Sequence, residues 1–178
     1  VIGCGNISGI YFQNMTSMFD NLEVAACCDL DQSKAQEAAK TYGIPKVLTT
    51  KQILSDPEID IIVNLTTPQQ HYDICMAALQ AGKHVYSEKP LSIRREDGAQ
   101  LVRTAQEKGL YLGCAPDTFL GAGIQTCKKL IADGWIGKPM AGTAFMVCHG
   151  HESWHPAPEF YYKTGGGPMF DMGPYYLT

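Results

Sequence analysis

Val1-Ile2-Gly3-Cys4-Gly5-Asn6-Ile7-Ser8 is the segment from which the 178-residue chain is best read. Two β-branched residues run into a Gly-x-Gly-x-x-Ser turn. In such a turn the first glycine permits the tight bend, and the second lets the backbone approach a ligand. The third position calls for a residue small enough for close helix–strand packing; Ser8 serves, with Gly9 behind it. The pattern from Ile7 to about Phe19 predicts a helix, so the segment is the tail of a strand, a turn and a helix start. Backbone N–H groups at such a helix start face outward and favour an anion.

Downstream the chain keeps the same alternation. Strands are predicted over 22–29, 46–48, 60–65, 84–88 and 111–115, with helices over 32–42, 50–55, 71–79 and 93–108 between them. Gly43, Gly82 and Gly109 stand where helices should stop, and Ser92 is a plausible N-cap. With Val1-Ile2 this gives six strands separated by helices, the signature of an α/β fold with a doubly wound parallel sheet of Rossmann type. The rhythm changes near Pro116. A helix over 123–133, a strand over 139–149 and an aromatic, Pro- and Gly-rich loop over 151–168 read as the opening of a second domain. The expected domains are therefore 1–116 and 117–178, the second incomplete.

Composition is that of a globular protein, 45% hydrophobic and 18% charged, with a net charge of −4. There is no basic block to meet a phosphate backbone, which argues against nucleic acid. No apolar run approaches the ~20 residues of a membrane span. The seven cysteines form no Cys-x-x-Cys pair, and most lie in apolar runs, as expected of a reduced cytoplasmic protein. The chain begins at Val1 and stops inside an apolar segment, so it reads as a fragment of a longer protein and leaves a leader open.

Asp29 lies 21 residues beyond Ser8, at the end of the second predicted strand. A carboxylate there accepts hydrogen bonds from the adenosine ribose and repels a 2′-phosphate. No arginine follows closely, so Gly3, Gly5, Asn6, Ile7, Ser8 and Asp29 point to NAD rather than NADP. The alternative is a glycine turn that binds nothing and a solvated carboxylate.

Three further segments carry a resemblance. They are Thr67-Pro68 followed by His71; Ala-Gly-Lys-His-Val-Tyr-Ser-Glu-Lys-Pro at 81–90; and Gly-Gly-Gly-Pro-Met-Phe-Asp-Met-Gly at 165–173. With the glycine turn they make the chain resemble the Gfo/Idh/MocA oxidoreductases, the glucose–fructose oxidoreductase and inositol dehydrogenase family, over about the first half of a member. The resemblance implies hydride transfer between a nicotinamide and a secondary alcohol or carbonyl carbon of a sugar, cyclitol or related polyol. Thr66, Thr67, Pro68 and His71 become cofactor-side residues. Lys89 contacts the nicotinamide ribose and the substrate hydroxyl, and Glu88 orients it. The resemblance also implies a dinucleotide-binding domain over 1–116, followed from 117 by the start of an α+β substrate and oligomerisation domain with a large open sheet, and a homo-oligomer for the full-length protein.

Chemistry alone makes Lys89 a candidate as well, because open α/β sheets bind ligands at the carboxyl ends of their strands. A lysine desolvated beside a cationic nicotinamide becomes useful in proton transfer. Asp171 is read as the N-cap of a helix from Met172, sharing a face with Tyr175. The family pattern is Asp-x-Gly-x-His, with the histidine as proton acceptor; this chain has Tyr175 there, as some members do. Tyrosine is a poor base at neutral pH unless a cation such as Lys89 assists it. Tyr175 is therefore either a catalytic residue with Lys89 and Asp171 or a packed aromatic beside Tyr176.

Asp117 and Phe119 follow the sixth strand and are read as substrate contacts or as hinge residues. Cys148, His149, His151 and His155 invite a metal, but no second cluster completes a tetrahedral site, so none is expected. His151 and Trp154 are instead assigned to the substrate cleft, where Trp154 could stack on a sugar ring. Two other functions stay open at this point: a non-catalytic NAD-binding regulator, and a glycoside hydrolase that uses NAD transiently.

Overall fold

Val1 and Ile2 form the central rung of a parallel sheet in the computed structural model, which describes residues 1–155 and 158–178. Five short strands surround that rung: β1 (Ala26–Cys27), β2 (Lys46–Val47), β3 (Ile61–Asn64), β4 (His84–Ser87) and β5 (Leu112–Cys114). β1 pairs with β2, and β3, β4 and β5 pair in that order, all in parallel. Ile2 joins the two groups through bridges to Cys28 on one side and Asn64 on the other. Its N–H donates to Val63 O at 2.9 Å, and its carbonyl accepts from Leu65 N at 2.8 Å. Counting this first segment as a strand, the order across the sheet is 3-2-1-4-5-6. That order reverses beside the first strand, and ligands bind at the carboxyl ends on either side of the reversal.

Helices cover both faces because side chains alternate across a strand. Cys27 packs with Phe12 of α1 (Ser8–Ser17) and with Ala35 and Ala38 of α2 (Gln32–Tyr42). Its neighbour Cys28 packs on the opposite face with Ile53 of α3 (Thr50–Ser55), Cys75 and Leu79 of α4 (Pro68–Gln80) and Leu101 of α5 (Arg95–Lys108). These buried thiols act as small hydrophobes, and all seven cysteines are free.

Helix ends follow local chemistry. Asp31 caps α2 by accepting from Ser33 N at 3.0 Å, and Gly43 ends it with φ +68°. Thr49 and Gln52 form a reciprocal capping box on α3. Ser92, the expected cap of α5, instead donates to Arg94 O at 2.8 Å. Its hydroxyl closes the preceding turn, and the helix begins at Arg95 with Glu96 and Asp97 in its first turn, where the dipole favours acids.

Residues Pro116–Thr178 form a second unit, separate from Val1–Ala115. It holds α6 (Ala122–Ala132), α7 (Gly167–Asp171), α8 (Gly173–Leu177) and short 3-10 turns at Thr118–Leu120 and Pro158–Tyr162. The strand expected over 139–149 does not form: among the described residues no strand lies beside it, and an unpartnered strand leaves its N–H and C=O groups to water. Residues 156–157 of the expected loop lie outside the described residues. Asp171 is not a helix N-cap. Pro168 starts α7 earlier than expected, so Asp171 is its last residue and Met172 caps α8. Among the described residues the buried hydrophobic ones end at Ala115, and large apolar side chains such as Ile124, Phe145 and Val147 are exposed. No helix among the described residues is long and apolar enough to cross a membrane.

Candidate functional site

Gly3 and Gly5 serve different purposes. Gly3 has φ +99°, and a Cβ there would lie 2.7 Å from Leu65 C and O, against the backbone leaving β3. Both the conformation and the crowding exclude a side chain. A Cβ on Gly5 would meet no protein atom within 4 Å. The fold itself leaves room at position 5, on the exposed side of the turn. Ser8 closes the turn from beneath: it is buried, and its N–H and Oγ both donate to Gly5 O, at 3.0 and 2.7 Å. No side chain caps α1, so its leading N–H groups keep their capacity for an anion. Gly9 lets α1 approach α2, since a Cβ would come within 3.2 Å of Tyr42 OH.

Asp29 stands at the carboxyl end of β1 beside this turn. Its Oδ2 accepts from Cys4 N at 2.7 Å and its Oδ1 from Asp31 N at 2.8 Å. Each oxygen keeps a further lone pair, so the carboxylate is both fixed and able to accept hydroxyl donors.

At the end of β3, Asn64 is fully buried and its Oδ1 accepts from Thr66 N at 3.2 Å and Thr66 Oγ1 at 2.7 Å. Thr67 caps α4 by position without a side-chain bond, and Pro68 opens the helix with its preset φ. His71 lies beneath these loops, with 1% of its surface exposed. Its Nδ1 is 2.6 Å from Pro90 O and its Nε2 2.9 Å from Thr66 O.

The two lysines of 81–90 sit at opposite ends of β4. Lys83, at the amino end, is buried and donates to Asp56 O at 2.7 Å, a structural tie. Lys89 follows the carboxyl end, half-buried, before a cis bond to Pro90. Glu88 is held on both oxygens, accepting from Tyr11 OH at 2.7 Å and from Lys89 N at 3.0 Å. Burial, and then the Glu88 carboxylate, push the Tyr11 phenol well above its ordinary range, so it stays a donor. Sequence reasoning missed Tyr11. The available signal was its place three residues after Ser8, one turn into the helix that starts at the glycine turn.

In the second unit Asp171 meets His151, which is 5% exposed, at 3.3 Å between Oδ2 and Nε2. Tyr161 stacks on the His151 ring with centroids 4.0 Å apart, and Trp154 tilts against it at 4.8 Å. His151 Nδ1 is buried with no hydrogen-bond partner among the described residues. Trp154 remains largely exposed, and Tyr175 is half-buried in α8. Asp117 and Phe119 lie exposed at the 3-10 turn that opens this unit. Among the described residues no three His, Cys, Asp or Glu side chains gather as a metal site.

The chain is similar to known proteins. Residues 1–115 match the Gfo/Idh/MocA oxidoreductase family, described by its NAD-binding Rossmann fold, and residues 124–178 match the Gfo/Idh/MocA C-terminal domain. The chain belongs to the Gfo/Idh/MocA oxidoreductase family. It is 33% identical over 155 residues to 1,5-anhydro-D-fructose reductase of Ensifer adhaerens, covering 84% of this chain and 45% of that protein. It is 31% identical over 151 residues to inositol 2-dehydrogenase/D-chiro-inositol 3-dehydrogenase of Lactiplantibacillus plantarum, covering 79% and 41%. Among solved structures, the WlbA dehydrogenase of Bordetella pertussis, in complex with NADH and UDP-GlcNAcA, is similar with a TM-score of 0.70 and 30% identity over 75% of this chain and 41% of that one. This Gfo/Idh/MocA chain thus spans about half the length of the curated relatives it matches. Its first unit fits NAD on its own geometry: open space over Gly5, an uncapped helix start and a fixed Asp29 carboxylate meet a pyrophosphate and a ribose.

Proposed function

We propose that the full-length protein is an NAD-dependent oxidoreductase. It transfers a hydride between nicotinamide and a secondary alcohol or carbonyl carbon of a sugar, cyclitol or related polyol. The observation that carries this is the Glu88–Lys89 turn, held at the carboxyl end of β4 by Tyr11 from the helix that begins at the glycine turn. One helix thereby links a pyrophosphate cradle to a lysine suited to proton transfer.

In this reading Gly3, Gly5, Asn6, Ile7 and Ser8 take the pyrophosphate and Asp29 the adenosine ribose. Thr66, Thr67 and Pro68 border the other half of the dinucleotide. NAD, when bound, supplies the hydride chemistry; the chain supplies orientation and proton handling. Lys89 hydrogen-bonds the substrate oxygen and passes its proton, and Glu88 fixes the turn; Asp171 and Tyr175 are the second unit's own residues for proton transfer. Support for Asp171 comes from its contact with buried His151, which fixes its carboxylate. Relatives named as sugar and cyclitol enzymes favour a polyol substrate. A cytoplasmic homo-oligomer remains part of this proposal.

The deciding experiment follows NADH absorbance with the full-length protein, NAD and a polyol panel. Wild-type protein should reduce NAD with at least one polyol, while Lys89→Ala should bind NADH yet lose at least ~100-fold in turnover. Unchanged turnover in Lys89→Ala would sink the assignment. Sugar release without net NADH would favour a glycoside hydrolase, and NADH binding without either would favour a regulator.

A further inference from the structure

We infer that His71 is a positioning residue for Lys89, an inference that rests on the oxidoreductase reading above. The ring is buried between two backbone carbonyls, with Nδ1 2.6 Å from Pro90 O and Nε2 2.9 Å from Thr66 O, and in either neutral tautomer it donates to one of them. It therefore acts through those two carbonyls and does not touch a cofactor. Thr66 belongs to the loop after β3, and Pro90 to the loop after β4. One rigid imidazole fixes the distance between two strand-end loops at the edge where open α/β sheets bind ligands.

The tie has its own support. Asn64 Nδ2 donates to His71 O at 3.2 Å and to Cys75 Sγ at 3.3 Å, while Asn64 Oδ1 holds Thr66. Asn64 thus fixes the backbone at His71 and at Thr66, and His71 extends that fixed frame to Pro90. Pro90 is the residue after Lys89, so the carbonyl that His71 grips anchors the turn from which the Lys89 side chain departs. Glu88 anchors the same turn from the other side through Lys89 N. Lys89 is bracketed by the two anchors, one reaching α1 and the other α4.

Both carbonyls are acceptors, so a neutral ring donates to one of them while its flat, rigid body sets the spacing to the other. Glutamine places its single amide at one end of a flexible chain and replaces at most one of the two contacts well. Phenylalanine fills the space and replaces neither. A shift of the turn by an ångström moves the lysine ammonium off the reacting oxygen, and misplacement of that size can cost about 100-fold in rate.

The test uses the full-length protein with His71→Phe and His71→Gln, each made in wild-type and Lys89→Ala backgrounds. His71→Phe should lower kcat by roughly 30-fold or more, with His71→Gln between it and wild type. The NADH dissociation constant from fluorescence titration should move by a smaller factor than kcat, because the pyrophosphate cradle and Asp29 are untouched and only the Thr66 loop loosens. In the Lys89→Ala background the same substitutions should change the residual rate less than about twofold, since the residue being positioned is gone. An equal fold-loss in both backgrounds would show a merely structural role and overturn the inference, as would an unchanged kcat. If His71→Phe does not fold, His71→Gln carries the same comparisons. A second readout needs no turnover: amine labelling of Lys89, followed by mass spectrometry with and without NADH. Protection of Lys89 by NADH should weaken in the variants, with Lys83 labelling unchanged; full retention of protection overturns the inference. If wild-type protein turns over no substrate, the functional reading fails, while the labelling arm still decides the role of His71.

Discussion

Gly3 and Gly5 belong to one motif but answer to different constraints. At Gly3 the positive φ and the 2.7 Å approach to Leu65 make the glycine a requirement of folding. Gly3→Ala should cost at least about 2 kcal/mol, visible as a lower denaturant midpoint. At Gly5 the protein leaves open space, so Gly5→Ala should stay within about 0.5 kcal/mol of wild type. Its NADH affinity should still fall by about tenfold, because a methyl group would stand where the pyrophosphate approaches. The motif made both glycines legible in the sequence, yet only the backbone beyond β3 separates their roles. Asp29 was legible by its distance from the turn, while its bond to Cys4 N was not. Asp29→Asn keeps an acceptor for that amide and removes the charge that opposes a 2′-phosphate. Fluorescence titration should show NADPH binding about tenfold tighter in that variant than in wild type.

The tie between α1 and β4 shows where sequence reasoning stops. Tyr11 and Glu88 are 77 residues apart, and nothing local to either marks the other. Periodicity placed α1 and β4 correctly, but only the strand order brings the helix over the strand end. Tyr11→Phe removes the phenol and should cost about 1–2 kcal/mol, with Glu88 Oε1 left without its donor. The pH dependence has a definite sign. The folded phenol is held above its ordinary range, near pH 10, so above that pH the unfolded chain loses a proton that the folded chain keeps. The stability linked to Tyr11 is complete below about pH 10 and declines as pH rises beyond it. Denaturation midpoints from pH 8 to 11 should fall less steeply in Tyr11→Phe than in wild type. The ends of α5 and α7 were misplaced for a simpler reason. Ser92 and Asp171 are both good cap residues by type, but Ser92 closes a turn and Pro168 starts a helix before Asp171 is reached.

The whole chain is unevenly consolidated. Among the described residues the buried apolar side chains lie within Val1–Ala115, on the two faces of the parallel sheet, whereas Pro116–Thr178 leaves large apolar groups such as Ile124, Phe145 and Val147 exposed. Hydrogen exchange on this 178-residue chain should therefore show its slowest amides in the rung at Ile2 and in β3 and β4, with faster exchange in α6, α7 and α8. The alternation of strands and helices made the first unit readable because each element buries a face that its own residues specify. The stretch 139–149 has strand-like residues but no neighbouring strand among the described residues, and a sheet is a property of pairs. The bond from Tyr11 to Glu88 carries one last implication. In the proposed oxidoreductase, a single helix has its amino end at the pyrophosphate and its second turn on the residue that anchors Lys89. Occupancy of the adenylate half therefore has a mechanical route to the nicotinamide half, and the two halves should bind as cooperative partners. By reciprocity, AMP should tighten nicotinamide mononucleotide by the same factor that nicotinamide mononucleotide tightens AMP, and Tyr11→Phe should bring that factor close to one.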